Sequence, residues 1–264
     1  AGWYKSDVTV KWTCADTLSG IASCPIDSTL TTEGATLSTA GTASDNAGNT
    51  ATATVSGINI DKTAPDVTIK GITNGGVYTL GAVPTASCSA TDSLSGVAGT
   101  CSGTLTGGTT NGVGSFSYTA TATDKAGNTR IATATYKVVY GYGTTFFLQP
   151  INDTAHQTGV STSVFKAGST VPVKFQIKRA DGTIVQANSA PQWLTPAKGS
   201  STSAAVDESV YSDPASSGTT FKWDATAQQY IYNWSTKGVA ANFYYRIGVT
   251  LDDGQTYFVN IGLR

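Results

Sequence analysis

Cys14-Ala15-Asp16-Thr17-Leu18-Ser19-Gly20-Ile21-Ala22-Ser23-Cys24, followed by Asp45-Asn46-Ala47-Gly48-Asn49, is met a second time further along the chain. The second copy reads Cys88-Ser89-Ala90-Thr91-Asp92-Ser93-Leu94-Ser95-Gly96-Val97-Ala98-Gly99-Thr100-Cys101, followed by Asp124-Lys125-Ala126-Gly127-Asn128. The order of parts is kept, which marks a tandem array of one small module rather than one large fold. The two copies fill the first half of the 264 residues, and a distinct segment of similar length follows. The sequence therefore predicts an all-β chain of three antiparallel β-sandwich modules in series, over residues 1–64, 65–140 and 141–264.

Outward from the cassette, the cysteines speak first. Each copy holds a pair, C-x9-C and C-x12-C, on either side of D-x-L-S-G. A zinc site asks for tighter clusters and histidine partners, and neither is present. Two local disulfides, Cys14–Cys24 and Cys88–Cys101, are the better reading, each stabilising its module by about 3 kcal/mol on the loop-entropy account. Such bridges need an oxidising compartment, so the expected location is extracellular, secreted or at the cell surface.

Charge then removes whole classes of partner. Only 12% of residues are charged and the net charge is −1, which gives no basic footprint for nucleic acid or an anionic bilayer. No apolar run approaches the ~20 residues of a spanning helix, so membrane insertion is not expected.

Strand periodicity surrounds the cassette. Val8, Val10, Trp12 and Cys14 alternate with Thr9, Lys11 and Thr13, as a half-buried strand does. Residues 36–44 and 50–55 flank Asp45-Asn46-Ala47-Gly48-Asn49 as a β-hairpin with a bulge at the glycine. Tyr118, Ala120 and Ala122, then Ala132, Ala134, Tyr136 and Val138, repeat the pattern in the second copy. Sliding that copy back by 74 residues places Gly76-Val77-Tyr78 on Gly2-Trp3-Tyr4 and Cys88 on Cys14. The strand Pro65-Asp66-Val67-Thr68-Ile69-Lys70 then has no counterpart in the first copy. Residue 1 is accordingly expected to lie inside a module, the chain to be the C-terminal piece of a longer protein with upstream domains, and Val8, Val10 and Trp12 to be less covered than their counterparts.

Asp61-Lys62-Thr63-Ala64-Pro65 reads as a short stiff joint, because proline holds the residue before it extended. Beyond Tyr140-Gly141-Tyr142-Gly143 the repeat stops and aromatic content rises. Val171, Val173, Phe175 and Ile177 alternate, Tyr230, Tyr232 and Trp234 share a face, and residues 243–251 and 257–263 form a terminal hairpin around Asp252-Asp253-Gly254. Residues 188–218, rich in Ser and Ala, read as a surface loop.

Two resemblances follow from these motifs. D-x-L-S-G, D-x-A-G-N and D-K-T-A-P resemble the tandem bacterial immunoglobulin-like modules of secreted and surface proteins, over about residues 1–140. Pro172-Val173-Lys174-Phe175, Tyr230-Ile231-Tyr232-Asn233-Trp234 and the ending from Asp253 to Arg264 resemble the P-x-K-F domain that closes many secreted actinobacterial proteins, over about residues 144–264. The resemblance implies immunoglobulin-like sandwiches serving as stalks, adhesin segments or spacers, with no catalytic site to carry over.

Catalysis finds no footing in the residues. His156 is the sole histidine, no G-x-S-x-G occurs, and the two glutamates, Glu33 and Glu208, fall in different modules. The chain is read as a non-catalytic spacer or adhesion stalk. Calcium is the one cofactor considered, with Asp16, Asp45, Asp61, Asp66, Asp92 and Asp124 as carboxylate ligands; the competing and preferred reading gives these residues to turns. The alternative function is an accessory carbohydrate-binding region of an extracellular glycan-degrading enzyme, taking a polysaccharide or cell-surface ligand on an outward Trp193 and Tyr244.

Overall fold

The computed structural model describes residues 2–154 and 161–264; His156 lies outside them. Every regular element described is a β-strand, and the chain is all-β. The first repeat contributes β1 (Val8–Val10), β2 (Ile21–Ser23), β3 (Ser28–Leu30), β4 (Gly34–Asp45) and β5 (Thr50–Ile60). β1 pairs with β3, and β2, β4 and β5 form a second sheet. The second repeat contributes β6 (Asp66–Lys70), β7 (Gly76–Thr79), β8 (Ser87–Thr91), β9 (Ser102–Gly107), β10 (Gly114–Thr123) and β11 (Thr129–Val139). Its sheets are β6-β8 and β7-β11-β10-β9, antiparallel apart from the β7–β11 pair.

The remaining strands are β12 (Phe147–Leu148), β13 (Val164–Phe165), β14 (Thr170–Phe175), β15 (Ile177–Lys178), β16 (Ile184–Val185), β17 (Gln192–Ser201), β18 (Lys222–Asp224), β19 (Gln229–Ser235), β20 (Phe243–Thr250) and β21 (Thr256–Leu263). Two four-stranded sheets result, β12-β14-β19-β18 and β13-β21-β20-β17, with the small hairpin β15-β16. In the P-x-K-F motif on β14, Val173 and Phe175 are fully buried and Lys174 is only half-buried, the alternation a sandwich strand requires. Residues 188–218 are not a plain loop: β17 lies within them and pairs with β20, its Ser/Ala-rich composition having hidden a strand whose edge partner is remote in sequence.

By contact density the chain resolves into two compact units. One holds Ala1–Gly71, Ala86–Leu105 and Tyr118–Ala134; the other holds Ile72–Thr85, Thr106–Ser117 and Thr135–Arg264. The hairpin of each D-x-A-G-N motif closes alike. Asp45 N–H donates to Asn49 O at 3.0 Å and Asp124 N–H to Asn128 O at 3.0 Å, with Gly48 and Gly127 at φ of 89° and 92°. That left-handed residue is the reason for the glycine, and the loop is a turn with a G1 bulge.

One expectation is reversed. Val8, Val10 and Trp12 are half-buried, while their counterparts Ala82 and Pro84 are exposed. β3 supplies β1 with a ladder, and the Trp12 ring lies over Gly41, where a Cβ would meet it at 2.8 Å. The strand ends at Val10 instead of reaching Cys14. The thin cover is found on β5 instead: residues 50–57 are all exposed and burial is confined to its end at Ile58 and Ile60, whereas the matching β11 already buries Ala134 and Tyr136.

Candidate functional site

The disulfides form within each repeat. Cys14–Cys24 and Cys88–Cys101 both span 5.9 Å between Cα atoms, and no described cysteine is free. Each bridge sits beside a D-x-L-S-G turn whose aspartate organises the backbone. Asp92 Oδ1 accepts from Leu94 N–H at 3.1 Å and Gly96 N–H at 2.7 Å; Asp16 Oδ1 accepts from Leu18 N–H at 3.0 Å, and its Oδ2 accepts from the Ser19 hydroxyl at 2.8 Å. These are Asx turns, the local use for which Asp is suited.

The D-x-A-G-N turn is the second wall of the site. Asp124 Oδ1 accepts from Asn128 N–H at 2.8 Å and its Oδ2 from Asn128 Nδ2 at 2.7 Å. Asn128 Nδ2 also donates to the Asp61 carbonyl at 2.8 Å, so the turn of the second repeat grips the joint that leads into it. Asp61 completes the arrangement from the joint. Its Oδ1 accepts from Thr63 N–H at 3.1 Å and its Oδ2 from Ser95 N–H at 3.0 Å, while its own N–H donates to Tyr4 O at 2.8 Å.

Three carboxylates consequently converge. Asp61, Asp92 and Asp124 each offer an oxygen within 4.8 Å of the others; Asp61 and Asp124 are buried and Asp92 is half-buried. Among the described residues no Lys or Arg pairs with them. Like charges so close repel, and backbone N–H groups together with the Asn128 amide and the Ser95 hydroxyl offset that repulsion here. Hard oxygen donors in this number suit calcium rather than a transition metal, with water completing the six to eight ligands that calcium takes.

The other carboxylates named from sequence are placed differently. Asp66 is exposed and stands outside the group. It begins β6, with its side chain on the outward face, so sequence proximity to Asp61 does not translate into a shared site. Asp16 and Asp45 reproduce the Asp92–Asp124 pair in the first repeat without a third carboxylate. Leu18 N–H, then the Ser19 hydroxyl, hold Asp16 below the usual carboxylate range, and the Asn49 amide does the same for Asp45.

A second joint lies at Tyr140. Its N–H donates to Asp253 Oδ2 at 2.9 Å, and its hydroxyl accepts from Asn111 Nδ2. Gly141 and Lys178 exchange both backbone hydrogen bonds at 2.7 Å. Burial pushes the Asp253 carboxyl up from its ordinary value, against the pull of the Tyr140 and Gln255 N–H groups.

The carbohydrate-binding alternative places Trp193 and Tyr244 on an outward face, and among the described residues neither is exposed. Trp193 is buried, stacked on Tyr232 at 4.5 Å and near Trp234 at 6.1 Å. β17 faces it inward because its ladder with β20 fixes the pleat, a partner the local sequence does not announce. Tyr244 is half-buried, and among the described residues of 144–264 no Trp, Tyr or Phe is exposed.

No protein-family model matches the chain, and no curated protein matches it. Solved structures that align with it include the protocadherin GammaB4 extracellular domain, at 16% identity and a TM-score of 0.29, covering 98% of this chain and 42% of that one. Others are protocadherin gammaB7 EC3-6, at 11% and 0.24, covering 98% and 66%, and mouse clustered PcdhgC3 EC1-3, at 12% and 0.24, covering 87% and 78%. The chain thus spans less than half of the first of these. Superpositions this loose carry no functional argument.

Proposed function

We propose that this chain is a non-catalytic spacer or adhesion segment of an extracellular bacterial protein, built from immunoglobulin-like modules and a closing P-x-K-F sandwich, and that its stiffness resides in its joints. The observation that carries this reading is that a buried, hydrogen-bonded residue anchors each joint: Asp61 is 0% exposed and Tyr140 is 2% exposed. A flexible linker would leave its backbone to water. The two disulfides support the extracellular placement. The carbohydrate-binding alternative loses its support with Trp193 in the core.

Limited proteolysis tests the joints. Lys62 is exposed, yet its backbone N–H is held by Glu33, and the Thr63 N–H and carbonyl are held by Asp61 and Asn128. Trypsin should spare the Lys62–Thr63 bond in the native chain and cut it in Asn128→Ala. Cleavage there in the unaltered chain as fast as in a denatured control would sink the stiff-joint reading.

A second reading rests on the convergence of Asp61, Asp92 and Asp124: calcium stiffens the first joint. Calcium should then raise the melting temperature over that in chelator. Asp92→Asn keeps an Oδ1 acceptor for Leu94 and Gly96 while removing one charge, so it should abolish the calcium response without loss of fold. Identical melting in calcium and chelator would leave these aspartates to the turns alone.

A further inference from the structure

β20 and β21 carry on their outward face a pattern that the core does not require. Three successive cross-strand pairs share that face: Tyr244 opposite Gly262, Arg246 opposite Asn260, and Gly248 opposite Phe258. Each ring thus meets a glycine rather than a side chain. A Cβ at Gly248 would stand 2.5 Å from Phe258 Cδ1, and one at Gly262 would stand 3.4 Å from Tyr244 Cε1, so both rings lie across the sheet. Glycine weakens a strand interior, and its usual reason there is the close approach of another group.

The two rings do different things. Phe258 seats a charge: the Arg246 guanidinium carbon stands 3.8 Å from its ring centroid. Arg246 is exposed, and among the described residues no carboxylate pairs with it. Its planar fork is held in place ahead of any ligand, so little order is lost when it takes a carboxylate in bidentate fashion. Tyr244 lies two residues back on the same strand, ~7 Å away, half-buried as a ring lying on a sheet is. Asn260 is exposed and sets an amide opposite Arg246. A cleft of about 340 Å³ opens here, lined by Thr154, Arg246, Phe258, Val259 and Asn260. All of these residues belong to one compact unit.

We infer that this face binds an acidic polysaccharide, with a uronate carboxylate on Arg246, neighbouring hydroxyls on Asn260 and Thr154, and a pyranose ring on Tyr244. Charge complementarity selects the anion, since a neutral sugar leaves the seated guanidinium without its acceptor. A polypeptide is the poorer occupant. β20 is laddered on both sides, to β17 and to β21, and has no free backbone groups to offer an added strand. Trp193 takes no part, being in the core. The role is additional to the spacer reading and does not rest on it.

The test runs the full chain by affinity electrophoresis through gels holding polygalacturonate, alginate or hyaluronate. At least one polymer should retard it saturably, with a Kd below about 1 mM in sugar units. Methyl esterification of that polymer should weaken binding at least about 10-fold, and so should Arg246→Gln, with melting unchanged because the side chain is exposed. Asn260→Ala, also exposed, should lose about 3-fold. Four outcomes overturn the assignment: no retardation by any of the three polymers, equal binding of the esterified polymer, Arg246→Gln binding as the unaltered chain does, or polyglutamate binding as tightly as the best polysaccharide, which would make the ligand an acidic peptide. None of the four would alter tryptic cleavage at Lys62–Thr63, so the spacer reading stands or falls separately.

Discussion

The two repeats share a cassette and differ in cover. In the second, β6 lies along β8, the hairpin strands bury Tyr118, Ala120, Ala134, Tyr136 and Val138, and the D-x-A-G-N turn holds a joint. In the first, the stretch matching β8 is unpaired, β5 is exposed over residues 50–57, and the same turn holds only itself. Motifs that look identical in sequence therefore have different energetic weight, because a turn aspartate gains most when the groups it orders are removed from water. The difference also shows how each repeat manages its trough: Trp12 covers Gly41 in the first, where the second has Ala86 and Ala120.

Truncating the aromatic core should separate the repeats most. Tyr136 is buried and stacks on Phe116 at 5.3 Å, so Tyr136→Ala should cost about 3–5 kcal/mol in denaturant unfolding. Val55, 37% exposed on the matching strand of the first repeat, should cost under about 0.5 kcal/mol as Val55→Ala. Comparable losses at the two sites would show that β5 is covered in solution.

The two turns form the next contrast. Asp124→Ala leaves the Asn128 N–H and amide without their acceptor in a buried site, and a loss of about 1–3 kcal/mol should follow. Asp45→Ala removes the same bonds in water and should lower the melting temperature by less. Acid should act on the first repeat's half-buried pair, Asp16 and Asp45, in the corresponding way. The folded pKa values of Asp16 and Asp45 lie below 3.8, so their contribution is present above that value and fades as pH falls through the lowered folded values. A first repeat that loosens instead on raising pH through this window would contradict that sign.

The smallest contrast between the repeats concerns Trp12. Gly41→Ala drives a methyl against the indole and should cost about 1 kcal/mol net, overpacking being partly offset by the better strand propensity of Ala. Trp12→Ala with Gly41→Ala, the pairing used by the second repeat, should be less destabilising than the sum of the single changes. Strict additivity would mean that the ring does not sit over Gly41.

What could be read from sequence alone follows the range of the forces involved. The tandem cassette, the two disulfides, the hairpins closed by Gly48 and Gly127 and the alternating strands around Tyr118 and Phe175 are written in neighbouring residues, because turn conformation and pleat periodicity are local. The carboxylate group was legible only as a list of six. Its selection of Asp61 with Asp92 and Asp124, and its exclusion of Asp66, depended on a joint folding back onto two turns 31 and 63 residues away. The tertiary structure also decided that Trp193 points into the core, through a ladder between β17 and a strand about 50 residues later, and that β5 rather than β1 is the bare strand. Burial is a property of what lies opposite, and composition records only what could be buried, not which partner arrives to cover it.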